Sequence, residues 1–328
     1  MNVEIVSKLR GTRLEAWKAL LHDADLTCGE PIERTVLVWD GDELVATASR
    51  FENIFKYIAT KHTRQGEDLT ATAISALRTD AFDDGYKHLF LYTKPKNELI
   101  FSSLFFYPIA STDKVLLMES RQNGIGEFIS SLCPQQSNGR VGALVMNCNP
   151  FTLGHQSLIE IASSECDHVY VFVLSEDKSY FSAKDRMKMV MLGTSHLGNV
   201  TVLPTGPYLI SSATFPTYFI KDRDKAIEIQ CALDIEIFAR YFAPAFSINA
   251  RYVGAEPLSP LTQKYNDALA AALPMRGIDL VEIERTKADD KIISASLVRE
   301  CINRKELDIL CTLLPKTTLD YLHSNNLI

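Results

Sequence analysis

The sequence predicts an α/β protein in which a doubly wound parallel sheet follows a smaller α+β domain. Short β-rich runs separated by turn signals extend as far as Met118, and from Val141 onward strands and helices alternate regularly. Between these regions lies a polar stretch with Pro134, which is typical of a linker. We therefore expect two domains, residues 1–137 and 138–328, each long enough to bury a core.

The first domain is expected to combine an antiparallel meander with helices. The apolar residues of the first twenty positions recur at helical spacing and predict an amino-terminal helix, and the spacing over Asp68–Asp84, followed by Gly85, predicts a second. The remaining predicted elements are the strands RTVLVWD, ELVATASR, IFKYIAT, HLFLYT and KVLLM and a short helix over Glu98–Leu104. RQNGIG follows the last of these strands and is interpreted as a turn.

The second domain shows the alternation of a parallel sheet. VGALVMN is nearly all apolar, as expected of a strand buried on both faces, and a helix starts at His155. Ser182 and Asp185 resemble a capping box at the start of the next helix. The other predicted elements are the strands HVYVFVL, NVTVL, INARYVG and IDLVEIE, a long helix over Lys225–Tyr241 and a helix capped by Ser294 or Ser296. In such a sheet, ligands bind at the carboxyl ends of the strands.

Composition excludes several classes of function. The net charge of −7 disfavours a nucleic-acid binder, because a phosphate backbone needs a broad basic face. The seven cysteines form no CxxC pair, so we expect reduced thiols. No signal peptide and no apolar run of about 20 residues is evident. We expect a cytoplasmic protein with no membrane partner.

One candidate phosphate site is the segment MNCNPFTLGHQSL, where a buried strand ends and a helix begins. Backbone N–H groups at a helix amino terminus favour an anion. Gly154 allows close approach of the backbone, while Thr152 and His155 supply hydrogen-bond donors. The alternative interpretation is an ordinary strand–helix connection whose Gly and Pro make only the turn.

A second candidate is IISASLVRE, which places Ser294 and Ser296 at a helix start and Arg299 within its first turn. A guanidinium there suits bidentate contact with phosphate. Serines at a helix start are more often simple caps. Two such helix starts in one α/β domain favour the phosphate interpretation.

These two motifs resemble those of the nucleotidyltransferase superfamily, which binds ATP with an (H/T)xGH loop and an ISSTxxR helix. Here they are Thr152-Leu153-Gly154-His155 and Ser294 to Arg299, and Asn149 stands where the superfamily often has Asp. The chain is more specifically similar to the citrate lyase ligase family, on the segments MNCNPFTLGHQSLIE, FVLSEDKSYFSAKDR, YLISSATFPTYFIKD, VGAEPLSPLTQKYN and ISASLVR. In that family the first half resembles an acetyltransferase (GNAT-type) fold.

The resemblance implies an AMP-forming acid–thiol ligase. Such an enzyme activates acetate with ATP as an acetyl-adenylate, releases pyrophosphate and acetylates the phosphopantetheine-like thiol arm of the citrate lyase acyl carrier subunit, which activates the lyase. The implied partners are therefore acetate and that subunit. Mg²⁺ is expected to arrive with ATP, because no carboxylate cluster in the sequence suggests a metal cage.

Site residues follow from the motifs, the resemblance and the position of cations near the sheet edge. The residues expected to act in catalysis are His155, Thr152, Lys178, Arg186 and Arg299. Of these, Lys178 and Arg186 are expected to neutralise charge on the β- and γ-phosphates. ATP contacts are expected from Asn147, Cys148, Asn149, Pro150, Phe151, Gly154, Gly254, Glu256, Ser294, Ala295 and Ser296. In SSATFPTYFIKD, the side chains of Ser211, Thr214 and Lys221 are expected to shape the acyl pocket or the entrance for the carrier arm.

The first domain is not expected to use acetyl-CoA. Acetyltransferase-type folds hold a diphosphate in an RxxGxG/A loop, and the corresponding stretch here keeps Gly66 but has Thr63 at the Arg position and Asp68 at the second Gly position. A carboxylate would repel a diphosphate, so we expect this domain to dock the lyase or its prosthetic arm instead.

Two other functions remain open from the sequence. One is an adenylyltransferase that makes a nucleotide cofactor from a phosphorylated precursor. The other is a nucleotide-sensing protein without catalysis. Acetate-dependent release of pyrophosphate would separate the ligase from both.

Overall fold

The computed structural model describes residues 1–135, 137–177, 179–209, 217–220, 226–255, 260–284, 287–288 and 291–328. The elements up to residue 131 are β1 (Asn2–Val6), α1 (Gly11–Asp23), β2 (Arg34–Asp40), β3 (Glu43–Phe51), β4 (Ile54–Thr60), α2 (Leu69–Asp83), β5 (Phe90–Thr93), α3 (Glu98–Ser103), β6 (Tyr107–Ser111), β7 (Leu116–Glu119) and α4 (Gly124–Ser131). Those that follow are β8 (Val141–Met146), α5 (Leu153–Glu165), β9 (His168–Val173), α6 (Ala183–Gly193), β10 (Val200–Pro204), α7 (Ala226–Ile237), α8 (Ala243–Ala245), β11 (Ala250–Gly254), α9 (Pro260–Ala272), β12 (Asp279–Ile283), β13 (Lys287–Ala288), β14 (Lys291–Ile292), α10 (Ala295–Arg304), α11 (Leu310–Leu313) and α12 (Lys316–Ser324).

The chain forms two compact units whose composition differs from the predicted segments. The first contains Met1–Ile125 and the described part of Phe215–Glu236, and the second contains the remainder. The later segment belongs to the first unit because the Glu30 carboxylate accepts hydrogen bonds from the backbone N–H groups of Thr217 and Tyr218. The division into residues 1–137 and 138–328 remains our proposal for the two domains along the sequence.

The first unit is built on a mainly antiparallel sheet. Its described strands lie in the order β1-β2-β3-β4-β5-β7-β6, and only β4 and β5 run parallel. One core cluster contains Val36, Ala46 and Leu91 from the sheet and Ala73 and Leu77 from α2, so this helix covers the sheet with its apolar stripe. This is the α+β arrangement that the sequence predicts.

Three predictions for this unit were wrong or incomplete. Residues 2–6 form a strand and not the start of a helix, because they pair with β2 in the register Asn2↔Trp39 to Val6↔Thr35. Strand β6 was not predicted. RQNGIG is also not a plain turn: α4 begins at Gly124, where the Glu119 carboxylate accepts a hydrogen bond from the backbone N–H of Ile125.

The second unit confirms the predicted α/β class. Its parallel strands lie in the order β10-β9-β8-β11-β12. The chain proceeds outward from β8 through β9 to β10, then returns to β11 on the other side of β8 and continues to β12. The winding therefore reverses between β8 and β11, which in doubly wound sheets opens a crevice at the carboxyl ends of these two strands.

Most predicted elements of this unit are confirmed, including the Ser182 cap, whose hydroxyl accepts a hydrogen bond from the backbone N–H of Asp185. Helix α9 and the two carboxyl-terminal helices were not predicted. Within the described parts of the chain, none of the helices has the length and apolar character needed to cross a bilayer.

Asp185 links α6 to the last helix and predicts a pH dependence of stability. Its carboxylate accepts hydrogen bonds from the hydroxyls of Ser182 and of Tyr321 in α12. Chiefly the Ser182 bond, aided by Tyr321, holds the pKa of Asp185 below its ordinary value. A lowered folded-state pKa contributes stability above the unfolded pKa of about 4, and this contribution is lost as the pH falls through the folded value.

We therefore expect Asp185→Asn to flatten the loss of stability on acidification. Urea unfolding at a series of pH values from about 6 to about 2 would measure the free energy of unfolding, and the wild type should decline more steeply than the variant below about pH 4. Parallel curves would show that Asp185 has the same pKa in the folded and unfolded chains.

Candidate functional site

A cavity of about 330 Å³ occupies the crevice between the carboxyl ends of β8 and β11. The first turn of α5, the end of β12, helix α9 and the start of α10 complete its wall. The elements that carry the two sequence motifs thus meet at one cavity. Its volume lies within the range of small-molecule sites.

The start of α5 is stabilised by a reciprocal cap between Thr152 and His155. The Thr152 hydroxyl accepts a hydrogen bond from the backbone N–H of His155, and the His155 Nδ1 atom accepts one from the backbone N–H of Thr152 at 3.1 Å. An accepting Nδ1 leaves the proton of the neutral ring on Nε2. The cap therefore sets both the orientation and the tautomer of an imidazole that lines the cavity.

Gly154 lies on the cavity wall beside the second motif. A Cβ atom built there would have the Ile293 carbonyl oxygen at 3.5 Å and the Thr152 hydroxyl at 3.6 Å as its nearest neighbours, which are ordinary contacts. The protein itself therefore has room for a methyl group. If glycine is required here, the requirement comes from a ligand that approaches the backbone closely.

We expect Gly154→Ala to raise the KM for ATP about tenfold or more, equivalent to about 1.4 kcal/mol, without loss of stability. Alanine is also the better helix former. Steady-state kinetics and urea unfolding measure the two effects.

Gly193→Ala provides the matched control. A methyl group there would overlap the Phe151 ring, so this variant should lose stability by about 1–3 kcal/mol. Unchanged ATP kinetics in Gly154→Ala would contradict a phosphate position at the α5 terminus.

Arg299 connects the two motifs directly. Its guanidinium donates one hydrogen bond to the Asn149 carbonyl oxygen and another, of 3.0 Å, to the Ser296 hydroxyl. Ser294 caps α10 by accepting a hydrogen bond from the backbone N–H of Leu297. The arginine thus fixes the turn after β8 against the first turn of α10, and Ala295 between the serines lines the cavity.

The structure corrects the role expected for Arg186. Its side chain is fully buried and donates hydrogen bonds to the carbonyl oxygens of Phe181, Asn147, Leu174 and Glu176 and to the Asn147 side-chain oxygen. These N–H groups donate to oxygen atoms of the protein and not to a phosphate. Arg186 therefore holds the loops that follow β8 and β9 together.

Four residues of the turn after β8 are packed into the protein. The side chains of Cys148, Pro150 and Phe151 are buried, and the Asn149 side-chain oxygen accepts a hydrogen bond from the backbone N–H of Phe181. Burial raises the pKa of the Cys148 thiol well above its ordinary value, which disfavours the thiolate form. The side chains of these four residues do not line the cavity. They can therefore affect a ligand there only through the backbone conformation of the turn.

Six predicted residues line the cavity: Asn147, Thr152, Gly154, His155, Gly254 and Ala295. Ser294, Ser296 and Arg299 do not line the cavity, and their hydrogen bonds cap α10 and join its start to the turn after β8. Lys178, Glu256, Ser211, Thr214 and Lys221 lie outside the described residues.

The cavity is also lined by residues that the two sequence motifs do not indicate. Arg251 is buried on β11, and Tyr265 and Asn266 project from α9. The Asn266 side chain donates a 3.0 Å hydrogen bond to the Gly254 carbonyl oxygen, which holds the end of β11. The segment LTQKYN was already part of the family resemblance and was the one available signal for Tyr265 and Asn266.

Metal ligands are sparse around this cavity. Glu284 is the single carboxylate among the described lining residues, and no group of three His, Cys, Asp or Glu side chains suited to a metal occurs in the described parts of the chain. A divalent ion would therefore be held there chiefly by a phosphate ligand and water.

The sheet order and the two helix starts identify the second unit as a nucleotide-binding α/β domain of the nucleotidyltransferase type. Residues 141–322 match the family model described as the citrate lyase ligase C-terminal domain. The chain is 37% identical over 316 residues to the [citrate [pro-3S]-lyase] ligase of Klebsiella pneumoniae, covering 94% of this chain and 92% of that one. It is 35% identical to the ligase of the same name from Escherichia coli K12, over 93% of this chain and 88% of that one.

A shorter part of the chain is similar to a different enzyme. The chain is 30% identical over 120 residues to a phosphopantetheine adenylyltransferase of Streptococcus agalactiae, covering 35% of this chain and 73% of that one. The full-length matches and the family model together establish the affiliation: the chain belongs to the citrate lyase ligase family.

Proposed function

We propose that this enzyme activates citrate lyase by acetylating the thiol arm of its acyl carrier subunit at the expense of ATP. The observation that carries the proposal is the near full-length similarity to enzymes named for ligation of this lyase, in a chain whose two nucleotide motifs meet at one cavity. Acetate is the acid proposed. ATP is proposed to bind in the cavity between β8 and β11.

The first half-reaction forms an acetyl-adenylate. An acetate oxygen attacks the α-phosphorus of ATP, a new P–O bond forms and the bond to the bridging oxygen breaks, so that pyrophosphate leaves. Negative charge accumulates on the phosphoryl oxygens, and positioned donors lower the barrier. The His155 Nε2–H and the amino terminus of α5 are proposed to supply such donors, and Gly154 to admit the phosphate chain.

The second half-reaction forms the thioester. The arm's thiol releases its proton to solvent and its sulfur attacks the acetyl carbonyl, a C–S bond forms and the bond to the adenylate oxygen breaks, so that AMP leaves. Mg²⁺ is proposed to come with ATP and to neutralise part of the phosphate charge. Thr152, Arg299 and Arg186 are proposed to keep the turn and helix starts in place throughout both steps.

The test is exchange of labelled pyrophosphate into ATP by the purified protein. The ligase requires exchange that depends on acetate and proceeds without the carrier. Adding the deacetylated carrier should then produce AMP and an acetylated carrier, both measurable by mass spectrometry in one mixture. Absence of acetate-dependent exchange in an otherwise folded protein would overturn the proposal.

The second candidate is an adenylyltransferase that joins AMP to a phosphorylated precursor. The match to a phosphopantetheine adenylyltransferase favours it, although that match covers 35% of this chain. Pyrophosphate exchange that requires a phosphorylated precursor such as phosphopantetheine, and that does not depend on acetate, would establish the adenylyltransferase in place of the ligase.

A further inference from the structure

One buried polar residue on the cavity wall is not explained by the two sequence motifs. Asn266 lies on α9 and is 3% exposed, and Leu269 on the same face of this helix is buried as well. An apolar side chain is usual at such a position, because a helix packs on a sheet with an apolar stripe. Asparagine is also a poor helix former. The chain therefore keeps a polar amide where packing alone favours an apolar residue.

A hydrogen bond fixes the orientation of this amide. The Asn266 Nδ2 atom donates a 3.0 Å hydrogen bond to the carbonyl oxygen of Gly254, the last residue of β11. A carbonyl oxygen only accepts, so the nitrogen of the amide must face it and the oxygen must point elsewhere. Among the described residues, no group donates a hydrogen bond to the Asn266 Oδ1 atom.

The space beside this amide belongs to the cavity. Asn266 and Gly254 both line it. A Cβ atom built on Gly254 would have the Leu158 Cδ2 atom, at 3.8 Å, as its single neighbour within 4 Å in the described part of the chain. The end of β11 is therefore open to a ligand, and Oδ1 offers that ligand a hydrogen-bond acceptor.

The other buried side chains with polar atoms on this wall do not offer such an acceptor. The Thr152 hydroxyl is engaged in the cap of α5, and the Tyr252 hydroxyl donates to the Glu165 carboxylate. Arg251 carries a guanidinium, which has donors and no acceptor. Among the described lining residues, Asn266 is thus the buried side chain that can accept a hydrogen bond from a ligand.

The surrounding wall indicates which part of a nucleotide meets this acceptor. The phosphate chain is proposed to lie at the start of α5, which is a different element of the wall. Apolar side chains such as Leu144, Val253 and Ile283 line the cavity from its strands, and apolar walls suit a planar base better than ribose hydroxyls. Adenine has one exocyclic amino group, and an asparagine amide oxygen is a usual acceptor for it.

We propose that Asn266 selects adenine, with its Oδ1 atom accepting a hydrogen bond from the 6-amino group of the base. The inference rests on the proposed function, since it takes ATP as the ligand of this cavity. Asn266 is a specificity-determining residue and takes no part in the bond-forming steps. Guanine and hypoxanthine have a carbonyl oxygen in place of the amino group, so two acceptors would face each other and the base would be rejected.

Nucleotide binding by the wild-type protein tests the proposal without acetate or the carrier. Isothermal titration calorimetry compares ATP with purine riboside triphosphate, in which a hydrogen atom replaces the 6-amino group. We expect ATP to bind about tenfold or more tightly, equivalent to about 1.4 kcal/mol. ITP, which has the carbonyl oxygen, should bind more weakly than ATP by at least the same factor.

Two variants separate selection of the base from support of β11. Asn266→Leu and Asn266→Asp both remove the donor to the Gly254 carbonyl oxygen, but aspartate keeps a side-chain acceptor. We expect the leucine variant to bind ATP and purine riboside triphosphate with affinities within about threefold of each other, and the aspartate variant to keep the preference for ATP. A residue that only holds β11 would weaken both nucleotides equally in both variants.

Asn199→Leu is the matched control. The Asn199 side chain donates hydrogen bonds to the carbonyl oxygens of Ser163 and Cys166 and does not line the cavity. The variant therefore also removes an asparagine that binds backbone carbonyls. It should keep the wild-type ratio of the two nucleotide affinities.

Several outcomes would overturn the assignment. Equal affinity of the wild type for ATP and purine riboside triphosphate does so without any variant, as does a folded leucine variant that keeps the preference. If Asn266→Leu instead removes a preference for ATP over 2′-deoxy-ATP or 3′-deoxy-ATP, the acceptor binds the ribose. Selective binding of ATP without acetate-dependent pyrophosphate exchange would refute the proposed function and retain the role of Asn266, whereas exchange without selectivity for the amino group would do the reverse.

Discussion

Replacing His155 with glutamine should lower kcat/KM for the acetate-dependent reaction about 10²–10³-fold, the usual effect of losing one positioned donor to a developing oxyanion. Glutamine at this position can still accept the hydrogen bond from the backbone N–H of Thr152, as in a standard capping box. It cannot place a ring N–H where Nε2 lies. The loss of activity would therefore measure the contribution of the imidazole and not that of the helix start.

The comparison with His155→Ala separates catalysis from capping. Alanine should produce a similar loss of activity and in addition lower the free energy of unfolding by about 1 kcal/mol, because the backbone N–H of Thr152 loses its ring acceptor. His196→Ala, at an exposed histidine paired with Glu160, is the control and should change neither quantity beyond about 0.5 kcal/mol. A glutamine variant with wild-type turnover would show that His155 only caps α5.

Replacing Arg186 with methionine should destabilise the protein by about 3–5 kcal/mol, although the methionine fills much of the same space. Four backbone carbonyls and the Asn147 side chain would lose their buried donor, and unsatisfied buried groups are costly. Urea unfolding measures the loss. Arg304→Ala, at an exposed arginine of α10, should cost less than about 0.5 kcal/mol.

The same variant distinguishes the structural role of Arg186 from the phosphate contact expected from its position after the second strand. A structural role predicts loss of stability with ATP kinetics that recover when the protein is assayed at low temperature, where the folded state remains populated. A raised KM for ATP with unchanged stability would restore the phosphate role.

Features decided by neighbouring residues were predictable from the sequence. The Ser182 cap involves residues three positions apart, so the letters alone indicate it, whereas the Thr152–His155 cap has the same spacing but was not predicted. The alternation after Val141 likewise predicts the parallel sheet, and the sheet order then places the first motif at the crevice. The site was predictable to the extent that it is built from helix starts at strand ends.

Features decided by distant residues were not predictable in the same way. Residues 2–6 become a strand through pairing with β2, and α4 begins where Glu119 supplies an acceptor from another element. The sequence shows an arginine at position 186 whether its side chain binds phosphate or carbonyl groups. Only the burial of Arg186 in the structure distinguishes the two roles. Tyr265 and Asn266 reach the cavity from a helix whose position no local pattern specifies.

The segment held by Glu30 has a consequence for how the protein is made. Most of the first unit precedes the second unit in the chain, yet the first unit includes Tyr218 and Phe219, which are synthesised after several strands of the second unit. The first unit therefore cannot be completed in the order of translation. A gene fragment that stops at residue 137 would encode a first unit without Tyr218 and Phe219, so the two halves cannot be exchanged between genes at that point as finished modules.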